Sequence, residues 1–201
     1  YMATVDGKKV AGIWKRDWKE PFVIGTFTTN STPVIRISRY FNKDTVVLTD
    51  GKNMTIYRGE ISDSKDRQKE FLKTAKIIKT DNATTNVMMD NAGRFIVAQN
   101  GATLQTYDLE RKELSSAFNI GMAQEVKWLD NFYIRSVSAS GKMEIREFDG
   151  TNAHTLIDVK PGLDSVLSSN QRYVYGLTTN ASGKIVLSKM NIDNGSIGLF
   201  N

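Results

Sequence analysis

Residues 45–57 read TVVLTDGKNMTIY. Two apolar, β-branched runs, Thr45 to Leu48 and Met54 to Tyr57, flank the pair Asp50-Gly51. An Asx-Gly pair between such runs is a strong local signal for a β-hairpin, because Asn, Asp and Gly tolerate the positive φ of a tight hairpin turn. The same punctuation recurs at Asp6-Gly7, Asn100-Gly101, Ser140-Gly141 and Ser182-Gly183. The five glycines are separated by 44, 50, 40 and 42 residues.

A second register of turns runs beside the first. Asn42, Asn91, Asn131 and Asn170 are 49, 40 and 39 residues apart, and each precedes its matching glycine. Strand-like runs lie before these asparagines (Val34 to Ser38, Thr85 to Met89, Glu125 to Leu129, Ser165 to Ser168). A further run follows each hairpin: Phe22 to Thr28, Ala75 to Thr80, Leu114 to Ile120, Thr155 to Val159 and Ser196 to Phe200. The repeat is therefore four strands in roughly 42 residues, the period and strand count of a β-propeller blade. A sandwich also spaces strands evenly, but it would not repeat both turn registers together.

The expected fold is all-β, a propeller of about five four-stranded blades near 1–29, 33–80, 84–120, 123–160 and 164–201, in a single domain that could be part of a larger ring. The first blade lacks its inner strand, which is expected before Tyr1, so the chain reads as a piece of a longer protein. One insertion, residues 62–73, is polar and rich in helix formers; a short helix and a solvated loop both fit it. Third strands often end in an aromatic (Trp14, Tyr57, Tyr107, Phe148), which suits packing between adjacent sheets.

Composition narrows the chemistry. The 201 residues are 40% hydrophobic and 24% charged with 3 prolines, which excludes collagen-like and wholly disordered chains. No apolar run reaches the ~18 residues of a membrane-spanning helix. Cysteine is absent, so disulfides, thiolate metal sites and cysteine nucleophiles are excluded. With one histidine, His154, a multi-histidine zinc site cannot form, and a Ser-His-Asp triad would need that residue. No Gly-x-Ser-x-Gly elbow, phosphate loop or dinucleotide motif occurs, and His154 reads as a turn residue. Asp108, Glu110, Asp149 and Asp164 fall at loop edges, where acids are common. Asn191 to Gly195 alternates oxygen ligands but lacks the glutamate of a calcium loop. No catalytic residue, metal site or cofactor is expected.

Two surface features stand out. Lysine follows the hairpin glycine in four repeats, at Lys8, Lys52, Lys142 and Lys184. On one face of a propeller these would form a ring attractive to an anionic partner; lysine also simply suits a solvated turn. Trp18 lies in the charged stretch Lys15 to Glu20, either as an exposed binding anchor or folded back on its own blade. Trp128 reads as core. The net charge of +5 is a mild bias in the same direction.

Three stretches, Val126 to Asp130, Ser140 to Lys142 and Phe148 to Asn152, resemble the propeller-like region that follows PEGA domains in membrane-anchored surface proteins of reduced-genome bacteria. The resemblance is firmest over Gln124 to Val159; the PEGA motif itself does not occur. It implies an extracytoplasmic module tethered by an upstream membrane segment, with no assigned reaction and no functional residues to carry over. The expected function is a non-catalytic binding scaffold. Its partner would be a protein or an anionic surface polymer, with nucleic acid less favoured. The alternatives are a carbohydrate-active enzyme on a propeller, which needs paired carboxylates in a pocket, and a binder of an anionic polymer or nucleic acid.

Overall fold

The computed structural model describes residues 1–28, 30, 32–121, 123–160, 162–163, 165–192 and 197–200. Within them the chain forms five antiparallel sheets and one α-helix. The first sheet holds β1 (Met2–Val5), β2 (Lys8–Ile13) and β3 (Phe22–Phe27). The second holds β4 (Val34–Tyr40), β5 (Lys43–Asp50), β6 (Asn53–Gly59) and β7 (Lys76–Lys79). The third holds β8 (Asn86–Met89), β9 (Phe95–Asn100), β10 (Thr103–Asp108), β11 (Glu113–Leu114) and β12 (Phe118–Asn119). The fourth comprises β13 (Ala123–Trp128), β14 (Tyr133–Ser138), β15 (Lys142–Glu147) and β16 (His154–Asp158). The fifth comprises β17 (Ser165–Leu167), β18 (Tyr173–Thr179), β19 (Ile185–Asn191) and β20 (Ile197–Phe200). The first, second, fourth and fifth sheets are plain meanders, with each strand beside its sequence neighbour. Contacts divide the chain into two compact units: Tyr1–Gly101 with Gln105–Ala117, and Ala102–Leu104 with Phe118–Asn201.

The glycine signals lie between hairpin strands, but the turns are of three kinds. Asp6 and Gly7 both have positive φ, 48° and 70°, which is the type I′ pattern. At Gly51 and Gly101 the glycine is the first central residue and the next residue is not at positive φ, the II′ pattern. Gly141 and Gly183 close three-residue loops, with their N–H groups donating to Ser138 O and Asn180 O at 2.9 Å. The Asn42 turn is also type I′, with Phe41 and Asn42 at 47° and 57°. In the fourth sheet the neighbouring Asp130 shapes the turn in place of Asn131: its Oδ1 accepts from the backbone N–H groups of Phe132 (2.7 Å) and Tyr133 (2.6 Å).

In the first unit the second sheet is buried on both faces along the middle of β5. Val46 and Leu48 of β5 pack with Ala11, Ile13, Phe22 and Ile24 of the first sheet. Val47 points the other way, onto Val87, Ile96 and Ala98 of the third. That is the period-2 alternation of a strand, and a strand apolar on both faces reads in sequence as the unbroken run TVVL. Each fully buried valine stabilises by about 1.5–3 kcal/mol. In the second unit, Val137, Met143, Ile145, Ile157 and Val159 of the fourth sheet and its edge meet Val174 and Met190 of the fifth.

The insertion forms a helix, α1 (Lys65–Lys73). It is polar apart from Phe71 and the exposed Leu72; Phe71, 2% exposed, enters the first core and meets the rings of Tyr57 (5.8 Å, stacked) and Phe22 (5.9 Å, edge-on). The run Leu114 to Ile120 is not one strand. Ser115 Oγ accepts from Thr106 N–H at 2.9 Å and donates to Ser116 O, so a side chain replaces ladder bonds between β11 and β12.

One polar clamp holds the third sheet. Arg94 Nε and Nη2 grip Asp108 Oδ1 and Oδ2 at 3.0 and 2.7 Å, and its Nη1 reaches Glu110 Oε2 at 2.6 Å. Burial pushes the Asp108 carboxyl up, but the Arg94 guanidinium and the N–H groups of Glu110 and Arg111 outweigh it and leave it below the usual carboxylate range. A depressed folded pKa gives stability that is present above the unfolded value and lost as pH falls through the folded one. Asp108→Asn should therefore flatten the acid limb of a stability–pH curve below the ordinary carboxylate range. Arg94→Ala should cost about 1.5–3 kcal/mol near neutrality, read by urea unfolding.

Candidate functional site

The core of the second unit stops short on one side. Leu129, Tyr133, Leu156, Leu167 and Ile192 are only half-buried at its edge. Together with Ile145 they wall a cavity of about 480 Å³ between the fourth and fifth sheets, within the ~300–1,000 Å³ range of small-ligand sites. Its polar lining is Asp130, Glu147, Asn152, His154 and Gln171. His154 opens β16 and pairs with Ile145 across the ladder, so the one histidine of the chain stands at the cavity edge.

Local chemistry holds these groups in place. Glu147 Oε1 accepts from Asn152 Nδ2 at 2.6 Å. The turn between them is fixed by Gly150, at φ 90°, whose N–H donates to Glu147 O. The Phe118 ring lies so close that a Cβ on Gly150 would come within 2.3 Å of it. Asp130 uses Oδ1 for its turn; Phe132, beside it, is 39% exposed and meets Phe148 edge-on at 5.2 Å. Two cavity residues, Asn152 and Gln171, have φ of 49° and 59°. Positive φ is uncommon in a residue with a Cβ, and such strain gathers at functional sites.

The lining is acidic. Asp130 and Glu147 contribute carboxylates, and among the described residues no lysine or arginine lines the cavity, against the net +5 of the whole chain. Among the described residues no serine or threonine lines it either. Among the described residues no group of three or more His, Cys, Asp or Glu is arranged to hold a metal, and no helix is long and apolar enough to cross a membrane.

The residues singled out by sequence lie elsewhere. Lys8 and Lys52 are exposed at hairpins of the first unit. Lys142 and Lys184 are exposed in the second, where Lys142 Nζ meets Asp158 Oδ1 at 2.6 Å. Trp18 is half-buried against the first core, with Lys15 Nζ 5.5 Å from its ring centre and its carbonyl accepting from Trp14 Nε1 at 3.0 Å. It also edges a polar recess of about 340 Å³ with Asp17, Lys65 and Gln68. Of the strand-ending aromatics, Tyr57 and Tyr107 are buried, Phe148 is half-buried, and Trp14 is 55% exposed. Trp128 is half-buried. Asp108 and Glu110 belong to the Arg94 clamp; Asp149 accepts from Thr151 N–H and Oγ1. Asp164 and residues 193–195 of the oxygen-rich turn lie outside the described residues. Composition could not reveal the cleft, whose walls come from positions 129 to 192. The positive φ at Asn152 and Gln171 had no glycine to announce it.

No known family model matches the sequence, and no curated protein matches it. Solved structures do. A putative 6-phosphogluconolactonase from Bacteroides fragilis matches over 97% of this chain and 64% of its own, at 11% identity and a TM-score of 0.52. BamB from Moraxella catarrhalis matches over 99% of this chain and 60% of its own, at 11% identity and 0.52. The WD40 domain of SCAP from fission yeast matches over 96% of this chain and 58% of its own, at 11% identity and 0.51. The likeness is one of fold, propeller-type and WD40-like. The chain spans about three fifths of each of these proteins.

Gln171→Gly should raise stability by about 1 kcal/mol in chemical denaturation, because it removes the Cβ from a left-handed residue. A fall would show that the Gln171 side chain holds the fold.

Proposed function

We propose that the protein is a non-catalytic binding scaffold. It is built on a propeller of about five blades, and the second-unit cleft takes a segment of another protein. One observation carries this reading: an apolar-walled cleft edged by two carboxylates, with no lysine or arginine among its described lining residues. An extended peptide with a lysine or arginine between apolar residues complements it. The apolar side chains cover Leu129, Leu156, Leu167 and Ile192, while the cation meets Asp130 and Glu147 and the exposed face of Phe132. Propeller proteins among the structural neighbours are consistent with an interaction role. An extracytoplasmic setting, with a tether upstream, belongs to the same proposal and rests on the PEGA-associated resemblance.

A second reading has its own observation: Asp130 and Glu147 share one cleft, as the acids of a glycoside hydrolase do. It competes poorly with the hydrogen bonds that already engage one oxygen of each.

Fluorescence anisotropy with labelled nine-residue peptides separates the readings. A peptide with Arg between leucines should bind at least tenfold tighter than its Glu counterpart, and Glu147→Gln should narrow that gap. Equal or absent binding of the two peptides overturns the scaffold reading at this cleft. Release of a chromophore from aryl glycosides, lost in Glu147→Gln, would install the enzyme reading instead.

A further inference from the structure

The first unit holds a smaller recess of about 130 Å³. It is bounded by Ile56 and Arg58 of β6, Thr74 at the end of α1, Lys76 of β7, and Tyr107, Leu109 and Lys112 on β10 and the turn beyond. Three of these side chains are cationic and none is acidic. Like charges gathered in one recess repel unless something compensates them. None of the three pairs with a carboxylate among the described residues. Arg58 Nη2 donates to Tyr40 O at 3.1 Å, and its Nε is buried without an acceptor. Lys76 Nζ donates to the Tyr107 hydroxyl at 2.5 Å, which leaves that hydroxyl's own proton to donate. Asp108 and Glu110, on the same turn as Lys112, are both held by Arg94.

Lys112 adds a second, independent observation. Its φ is 60°, and its N–H closes the turn onto Asp108 O at 2.8 Å. Glycine or asparagine would sit there with less strain, yet the position carries a long cation directed to the recess lining. From these facts we infer that the recess binds a tetrahedral oxyanion, a phosphate group, between Arg58, Lys76 and Lys112, with the Tyr107 hydroxyl as a further donor. Guanidinium and ammonium donors to phosphate make charge-assisted bonds of the strong kind. The volume is several times the ~30 Å³ share of one water, enough for a single phosphate group. The group could be the free ion or the head of a phosphate monoester. This site is separate from the second-unit cleft and stands or falls without it.

The test is calorimetric titration of the whole chain with inorganic phosphate and, in parallel, with glycerol phosphate, against sodium chloride at matched ionic strength. Saturable phosphate binding is expected, weakened at least tenfold by Lys112→Gly and by Arg58→Gln. Lys112→Gly should leave the melting temperature unchanged or raise it, so its loss of binding cannot be a loss of fold. Equal saturation by both ligands assigns the site to the phosphate head whatever its source; saturation by inorganic phosphate alone assigns it to the free ion. Heats no larger than those of chloride, or Lys112→Gly binding phosphate like the parent chain, would overturn the inference.

Discussion

Val46 and Val47 are neighbours in the chain and face opposite cores, and the first unit depends on that alternation. A β-strand offers two faces of side chains, and in most antiparallel sheets one of them meets water. In the second sheet neither does along the middle of β5, where Thr45 to Thr49 are all at most 4% exposed. The ladder register carries the sorting onto β6. Val46 lies opposite Tyr57, and both face the first sheet; Val47 lies opposite Ile56, and both face the third. A slip of one residue would exchange the two faces and place Tyr57 where Ile56 fits. The helix follows the same rule: its buried side chains are Phe71 and Gln68, while Lys65 and Arg67 reach Glu20 and Glu60 from the exposed side.

Polar groups act at the edges of this apolar stacking. Asp90 accepts from the N–H groups of Phe95 and Ala92, and Asn180 from those of Ser182 and Lys184, so short side chains close turns that the ladders cannot. Arg135, 3% exposed, donates to Ser165 Oγ at 2.8 Å and links the fourth sheet to the start of the fifth. Arg94 performs the corresponding task for Asp108 within the third sheet. Arg135 also meets Glu125 Oε1 at 3.4 Å, so the buried charges of Arg135 and Asp108 are both paired, as burial requires.

The strands and both turn registers could be read from the sequence because their causes are local. Alternation, β-branching and Gly or Asn at turns act over four to eight residues. The turn types could not, because Gly51 and Gly7 look alike beside an aspartate while strand register decides which residues become central. Nor could the break at Ser115, where one hydroxyl displaces a ladder bond. Trp14, expected to pack between sheets, is exposed, and of the two readings open for Trp18 the ring takes the one folded against the core. Both candidate sites were hidden for a common reason. Their residues, from Leu129 to Ile192 and from Ile56 to Lys112, are far apart in the chain, and the backbone signal at each is a strained residue that is not glycine. The lysines after the hairpin glycines were visible in sequence because they share a position in the repeat, and they line neither recess.

The two-sided sheet also shapes how the sequence can drift. A change of volume at Val46 is answered from Ala11, Phe22 or Tyr57, while one at Val47 is answered from Ile56, Val87 or Ile96. Adjacent codons thus belong to different neighbourhoods. Compensating substitutions among homologues should sort into two sets that interleave along β5, every second position answering to the same distant stretch of chain.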